Sequence, residues 1–270
     1  MKNLITRSLT GIAFVVVTLG SLLLGTYGFE AFFLLVLAGG LAEFYHLTEK
    51  TGIRPCKPVG MATGTLFFGI SFMVASGQFP ATAYLILFPA FLLFFIAELY
   101  RKRERPSENI AAGVLGVVYL AIPLSLANFL VFRGGPYAPR LMIALLALIW
   151  VYDSGAYLFG VSLGKHRLFE RISPKKSWEG AIGGAMVAFA AAFLISEQIR
   201  EIQLTHWLIL TFLIILISTF GDLSESLLKR QVGLKDSGRL IPGHGGLLDR
   251  FDSLLFAIPV FVCYLELAVH

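Results

Sequence analysis

Four carboxylates define the stretch of this chain where chemistry is most expected. Asp222 and Glu225 are three residues apart, and Asp249 and Asp252 repeat the spacing. On a helix that spacing puts both acids of a pair on one face, with Ser226 and Ser253 one position further on the same face. Between the pairs run Lys229, Arg230, Lys235, Arg239 and His244, and Arg250 falls inside the second pair. Carboxylates that can hold a divalent cation, beside cations that can hold phosphate, are what phosphoryl-transfer chemistry requires. Mg²⁺ takes one or two carboxylates plus substrate phosphate oxygens rather than a closed protein cage. Asp222 and Asp249 are therefore the first candidate ligands, with Asp252 and Glu225 next. The cluster leaves room for a second cation, whose identity the sequence does not give. Asp236 lies among the loop cations and is expected to pair with them.

Two further features belong to the same chemistry. Asp153 interrupts an apolar run from Leu141 to Leu163, and a carboxylate inside such a run normally faces a cavity or a partner. Downstream, Ser173-Pro174-Lys175-Lys176-Ser177-Trp178-Glu179-Gly180 reads as a break followed by a helix start at about Ser177. A helix start presents N–H groups and a positive dipole end, so Lys175 and Lys176 beside it form a candidate phosphate cradle. Lys165 and Arg167 read instead as flanking topological charge.

The elements that must carry these residues are membrane spans. Of the 270 residues, 57% are hydrophobic and only 14% charged, against the roughly 25% charged typical of soluble domains. Segments of ~20 apolar residues can cross a bilayer. Nine fit, at about 5–24, 29–48, 58–76, 80–99, 108–132, 141–163, 178–199, 204–229 and 248–269. The fold class expected is all-α, a polytopic helix bundle. The first run is long for a signal peptide and has no small-residue cleavage site, so it is read as a retained span. If the N-terminus is cytoplasmic, every Lys and Arg among the 22 lies on the inner side except Arg133, Arg140 and Arg200. That asymmetry predicts N-in and C-out. It also makes the net charge of +5 a topological signal rather than a sign of nucleic acid. Along the eighth span, ~1.5 Å per residue places Asp222 about 27 Å from its start, near the edge of a ~30 Å hydrocarbon core, level with Asp249 at the start of the ninth.

The remaining anomalies have simpler readings. Glu43, His46 and Glu98 sit near cytoplasmic ends of spans, where interfacial solvation suffices. Gly180, Gly183, Gly184, Ala185, Ala188 and Ala192 let the seventh span approach a neighbour closely within the bundle. Cys56 and Cys263 suggest no disulfide or metal pattern; they read as a loop residue and a packed thiol. Residues 1–140 read as scaffold with scope for oligomer contacts, a homodimer included, and 141–270 as the catalytic part of one integral membrane unit.

The run from Ser226 through Leu228-Lys229-Arg230, Lys235-Asp236, Gly238 and Ile241-Pro242 to His244-Gly245-Gly246-Leu247 and Asp249-Arg250-Phe251-Asp252 closely resembles the signature of the phosphatidate cytidylyltransferases (CDP-diacylglycerol synthases). Gly221-Asp222-Leu223, Asp153-Ser154-Gly155-Ala156-Tyr157 and the Ser173–Gly180 segment look like that family too. The resemblance covers mostly residues 150–252. It implies the reaction of CTP with phosphatidate to give CDP-diacylglycerol and pyrophosphate, in phospholipid biosynthesis, at the cytoplasmic face of an inner membrane, with Mg²⁺. Under it, Asp222, Asp249, Lys229 and Arg250 are expected to be catalytic. Asp153, Ser173, Lys175, Lys176, Ser226, Arg230, Lys235, Arg239 and His244 are expected to contact substrate. A CTP-dependent polyprenol kinase would use similar groups but release CDP. The start of the CDP-alcohol phosphotransferase motif is absent. An ion-coupled transporter would place its charges near the midplane, whereas here they cluster at one face.

Overall fold

The computed structural model describes residues 2–238 and 245–269, with the side chains of residues 2–8 left undescribed. Among these residues the chain forms nine long helices and one small hairpin. The helices are α1 (Lys2–Leu23), α2 (Thr26–Glu49), α3 (Lys57–Ala75), α4 (Ala81–Arg101), α5 (Pro106–Val131), α6 (Arg140–Leu163), α7 (Trp178–Gln198), α8 (Leu204–Gln231) and α9 (Leu248–Ala268). All but α1 are long and apolar enough to cross a membrane, and α1 contributes the shorter apolar stretch Leu9–Leu23. The protein is thus an all-α polytopic membrane bundle, as its composition requires. Leu9, Val16, Phe88, Phe95, Leu158, Val161 and Leu194 are exposed, as side chains facing hydrocarbon would be.

Proline interrupts the backbone hydrogen-bond ladder of two helices. Pro123 has no N–H for the carbonyl four residues earlier, and α5 widens to a π-turn over Val117–Ala121 just before it. Pro259 breaks the same bond inside α9. The hairpin, β1 (Arg167–Phe169) against β2 (Ser173–Ser177), is antiparallel. It occupies what the sequence shows only as a polar loop.

The chain divides into two compact units, the first being Met1–Pro139 with Gln231–Phe251 and the second Arg140–Arg230 with Asp252–His270. In the first, α2, α3 and α5 converge on Tyr45, whose buried hydroxyl donates to the Gly113 carbonyl at 2.8 Å. Gly60 and Gly116 lie against that ring, where any Cβ would overlap it. Glu98 is not solvated at an interface: it is 6% exposed and accepts from Asn109 Nδ2 at 2.6 Å and Arg101 at 2.7 Å. Asn109 Oδ1 in turn accepts from the Arg54 N–H at 2.7 Å.

In the second unit α6 and α7 form a close antiparallel pair. Gly180, Gly183, Gly184, Ala188 and Ala192 are buried. A Cβ on Gly184 would stand 2.7 Å from the Tyr152 carbonyl and 2.8 Å from the Ala156 nitrogen. The small-residue stripe thus packs within the bundle, as its spacing predicts. Cys263 departs from expectation: it is exposed, and both cysteines are free. A thiol is apolar enough for a lipid-facing position.

Candidate active site

The second unit gathers acids from three helices. Asp222 lies on α8, Asp252 on α9 and Asp153 on α6. Asp252 feels the charges of Asp222, Asp153 and Lys229. Backbone approach brings α8 and α9 together here. A Cβ at Gly221 would sit 2.7 Å from the Asp252 carbonyl, and Ser253 Oγ donates to the Ser218 carbonyl at 3.4 Å. Ser226 Oγ donates to Asp222 Oδ1 at 3.3 Å, one helical turn away. The Asp252 carboxylate accepts from the Ser253 N–H at 2.6 Å. Tyr152 bonds Thr219 at 2.9 Å and senses Lys176, Asp153 and Asp222, which ties α6 to the same region. Asp153 itself is exposed in the helix.

Two lysines compensate these acids. Lys176 makes an ion pair with Asp222 Oδ2. Lys229 pairs with Glu225 one turn back on α8, and both are buried, at 7% and 0% exposure. Glu225 and Lys229 thus neutralise each other at i, i+4, and the charge of Lys229 also reaches Asp252. The lysine pair of the sequence is also divided. Lys175 and Lys176 are adjacent on β2, and side chains alternate along a strand. Lys176 is half-buried against Asp222, whereas Lys175 is exposed.

The start of α7 is not an open anion cradle. Ser177 Oγ caps it by accepting from the Gly180 N–H at 3.1 Å. Glu179 adds an acid in the first turn. That carboxylate accepts from the Lys165 and His166 N–H groups at 3.1 and 3.2 Å and bonds His166 Nδ1 at 2.5 Å. It fastens the hairpin to the helix, a role the sequence did not disclose. Ser173 opens β2 and is part-buried.

The signature loop belongs to the first unit, and two carboxylates hold its flanks. Asp249 Oδ2 accepts from the Ser237 N–H and Oγ, both at 2.9 Å, and from the Gly246 N–H at 2.7 Å. Glu43, on α2, is 7% exposed. It accepts from Ser237 Oγ at 3.1 Å and from the Leu247 and Leu248 N–H groups at 3.0 and 2.9 Å. Glu43 is thus a buried acceptor, not the solvated interfacial residue that its place near a span end suggests. Lys235, Asp236, Arg230 and Arg250 are exposed. Arg239 and His244 lie outside the described residues.

The donor set bears on whether a divalent cation fits. Among the described residues no three His, Cys, Asp or Glu side chains are grouped as an all-protein cage. Mg²⁺ does not need one. Asp222 and Asp252 are neighbouring acids, and an ammonium group already stands against Asp222. These oxygens suit a cation that completes its shell with phosphate and water.

An all-α polytopic membrane protein with acids and lysines collected among α6, α8, α9 and β2 is a class, not yet a family. The model of the cytidylyltransferase family matches residues 5–268. A phosphatidate cytidylyltransferase of Brucella suis is 37% identical over 261 residues, covering 95% of this chain and 91% of that protein. One from Pseudomonas aeruginosa is 36% identical over 198 residues, 72% of this chain and 73% of its own. One from Haemophilus influenzae is 45% identical over 126 residues, 45% and 44% of the two chains. The chain belongs to the cytidylyltransferase family.

Proposed function

We propose that this protein transfers the cytidylyl group of CTP to phosphatidate, forming CDP-diacylglycerol and pyrophosphate. The observation that carries the reading is the full-length family match on a chain whose second unit sets Lys176 against Asp222 beside Asp252. A phosphatidate oxygen attacks the α-phosphorus of CTP in line. The bond from that phosphorus to the bridging oxygen breaks, and pyrophosphate leaves with the electron pair. The nucleophile is already an anion, so no general base is needed, and catalysis is positioning and charge neutralisation. Asp222 and Asp252, in the second unit, are the ligands we assign to Mg²⁺; Asp249, the other first candidate from the sequence, gives its Oδ2 to Ser237 and Gly246 within the first unit. Bound there, the ion would neutralise phosphate charge. Lys176 holds a CTP phosphate, and Lys235, Arg239, His244 and Arg250 serve the triphosphate or the lipid phosphate.

The lipid substrate comes from the bilayer and the nucleotide from water, which suits a site at the cytoplasmic face of the cytoplasmic membrane. Purified protein given CTP, phosphatidate and Mg²⁺ is expected to release pyrophosphate and CDP-diacylglycerol in equal amounts. Release of CDP with phosphorylation of a polyprenol would replace this reading by a lipid kinase. The charge asymmetry supports N-in, C-out. A reporter at Glu104 is expected inside and one fused after His270 outside; both on one side would remove the nine-span topology.

A further inference from the structure

We infer that Glu43 is a positioning residue of the reaction, acting through the signature loop. The inference rests on the functional reading above and goes beyond it by giving the first half of the chain a part in turnover. Three donors meet this one carboxylate, and all come from residues 237–248. Oε1 takes the Leu247 N–H, and Oε2 takes Ser237 Oγ and the Leu248 N–H. Leu248 opens α9, so two of the donors are backbone N–H groups at the start of that helix, which have no intrahelical partner. An anion there also meets the positive end of the helix dipole. The acceptor is supplied from α2, about two hundred residues earlier in the sequence.

The fit is close on both flanks. A Cβ on Gly238 would overlap Glu43 Oε1, and one on Gly246 would overlap Glu43 Oε2 and Ser237 Oγ. Asp249 holds the same flanks from the loop's own side, again through Ser237 and Gly246. The one hydroxyl hydrogen of Ser237 is thus shared between two carboxylates from different helices. Together they fix the described residues 237–238 and 245–248, and so where α9 starts. Lys235, Arg250 and Asp249 take their positions from this arrangement.

The chemistry of the acceptor provides a selective test. The Leu247 and Leu248 N–H groups can only donate, one to each oxygen, so a carboxylate satisfies both and a carboxamide does not. Glu43→Gln has nearly the same volume but must turn an NH₂ group toward one of those N–H donors. Full-length wild type, Glu43→Gln and Gly246→Ala would be purified in the same membrane mimic. Steady-state kinetics and amide hydrogen exchange resolved by peptide would then be measured on each. Both variants are expected to lose about tenfold to hundredfold in kcat, the range for partners that orient a reacting group from behind it. KM for CTP should change little, as for an interaction felt mainly in the transition state. Exchange should rise in peptides covering 237–250 and stay at the wild-type rate in α6, α7 and α8. Gly246→Ala disturbs the contact from the loop side, so agreement between the variants separates anchoring from damage to α2. Wild-type kcat in both variants, or exchange that rises evenly through every helix, overturns the inference. A wild-type protein that makes no CDP-diacylglycerol sinks the functional reading instead, and the exchange data still decide the anchoring.

Discussion

Asp222→Asn is expected to lower kcat/KM on the order of 10³-fold or more, the scale on which a single charge-stabilising group acts in phosphoryl transfer. Asparagine keeps the shape and one carbonyl oxygen but loses the charge. In the second unit that charge answers Lys176 and stands beside Asp252. Removing it leaves Lys176 without its anion and weakens any Mg²⁺ held there. The protein should still insert and purify, because Asp222 is only part-buried and amide replaces acid at the same volume. Asp236→Asn is the contrast: Asp236 is exposed, and its loss should be mild. Turnover and Mg²⁺ titration on the two variants measure this. An Asp222→Asn enzyme with near-normal turnover would take the acid cluster out of the mechanism.

The second large effect should divide two adjacent lysines. Lys176→Ala is expected to cost tenfold to a hundredfold in kcat/KM. A hydrogen bond to a charged group contributes roughly 1.5–3 kcal/mol, and Lys176 also balances Asp222. Lys175→Ala should cost far less, because its neighbour on β2 takes the inward position and Lys175 faces solvent. Lys165→Ala should resemble Lys175→Ala, since the Glu179 carboxylate holds the Lys165 backbone rather than its ammonium. Steady-state assays at matched protein levels compare the three. Equal small losses would reduce Lys176 to a topological charge.

These two predictions show where the sequence could be read and where it could not. The spans were legible, because crossing hydrocarbon demands long unbroken apolar runs. That α7 packs closely within the bundle was legible in Gly180, Gly183 and Gly184, whose spacing needs only helical geometry; that its neighbour is α6 was not. The split between Lys175 and Lys176 was hidden, because it depends on β2 pairing with β1, and strands this short carry no periodic signal. The pairing of Glu225 with Lys229 was available at i, i+4 but was outweighed by the acid cluster. Glu43 was beyond reach: a lone acid near a helix end looks solvated until the donors from residues 237–248 are known.

That distance along the chain also imposes an order of events during synthesis. α2 emerges from the ribosome long before Ser237, Leu247 and Leu248, which lie 194, 204 and 205 residues after Glu43. At about 5–20 residues per second, the carboxylate waits roughly 10–40 s for the groups that satisfy it. Throughout that interval α2 is a membrane helix with an unmet acid at one end, dependent on water or lipid headgroups for solvation. A nascent chain that stops before Leu248 never supplies those amides. Synthesis of residues 237–251 thus supplies the last pieces of the first unit, even though most of that unit is made first.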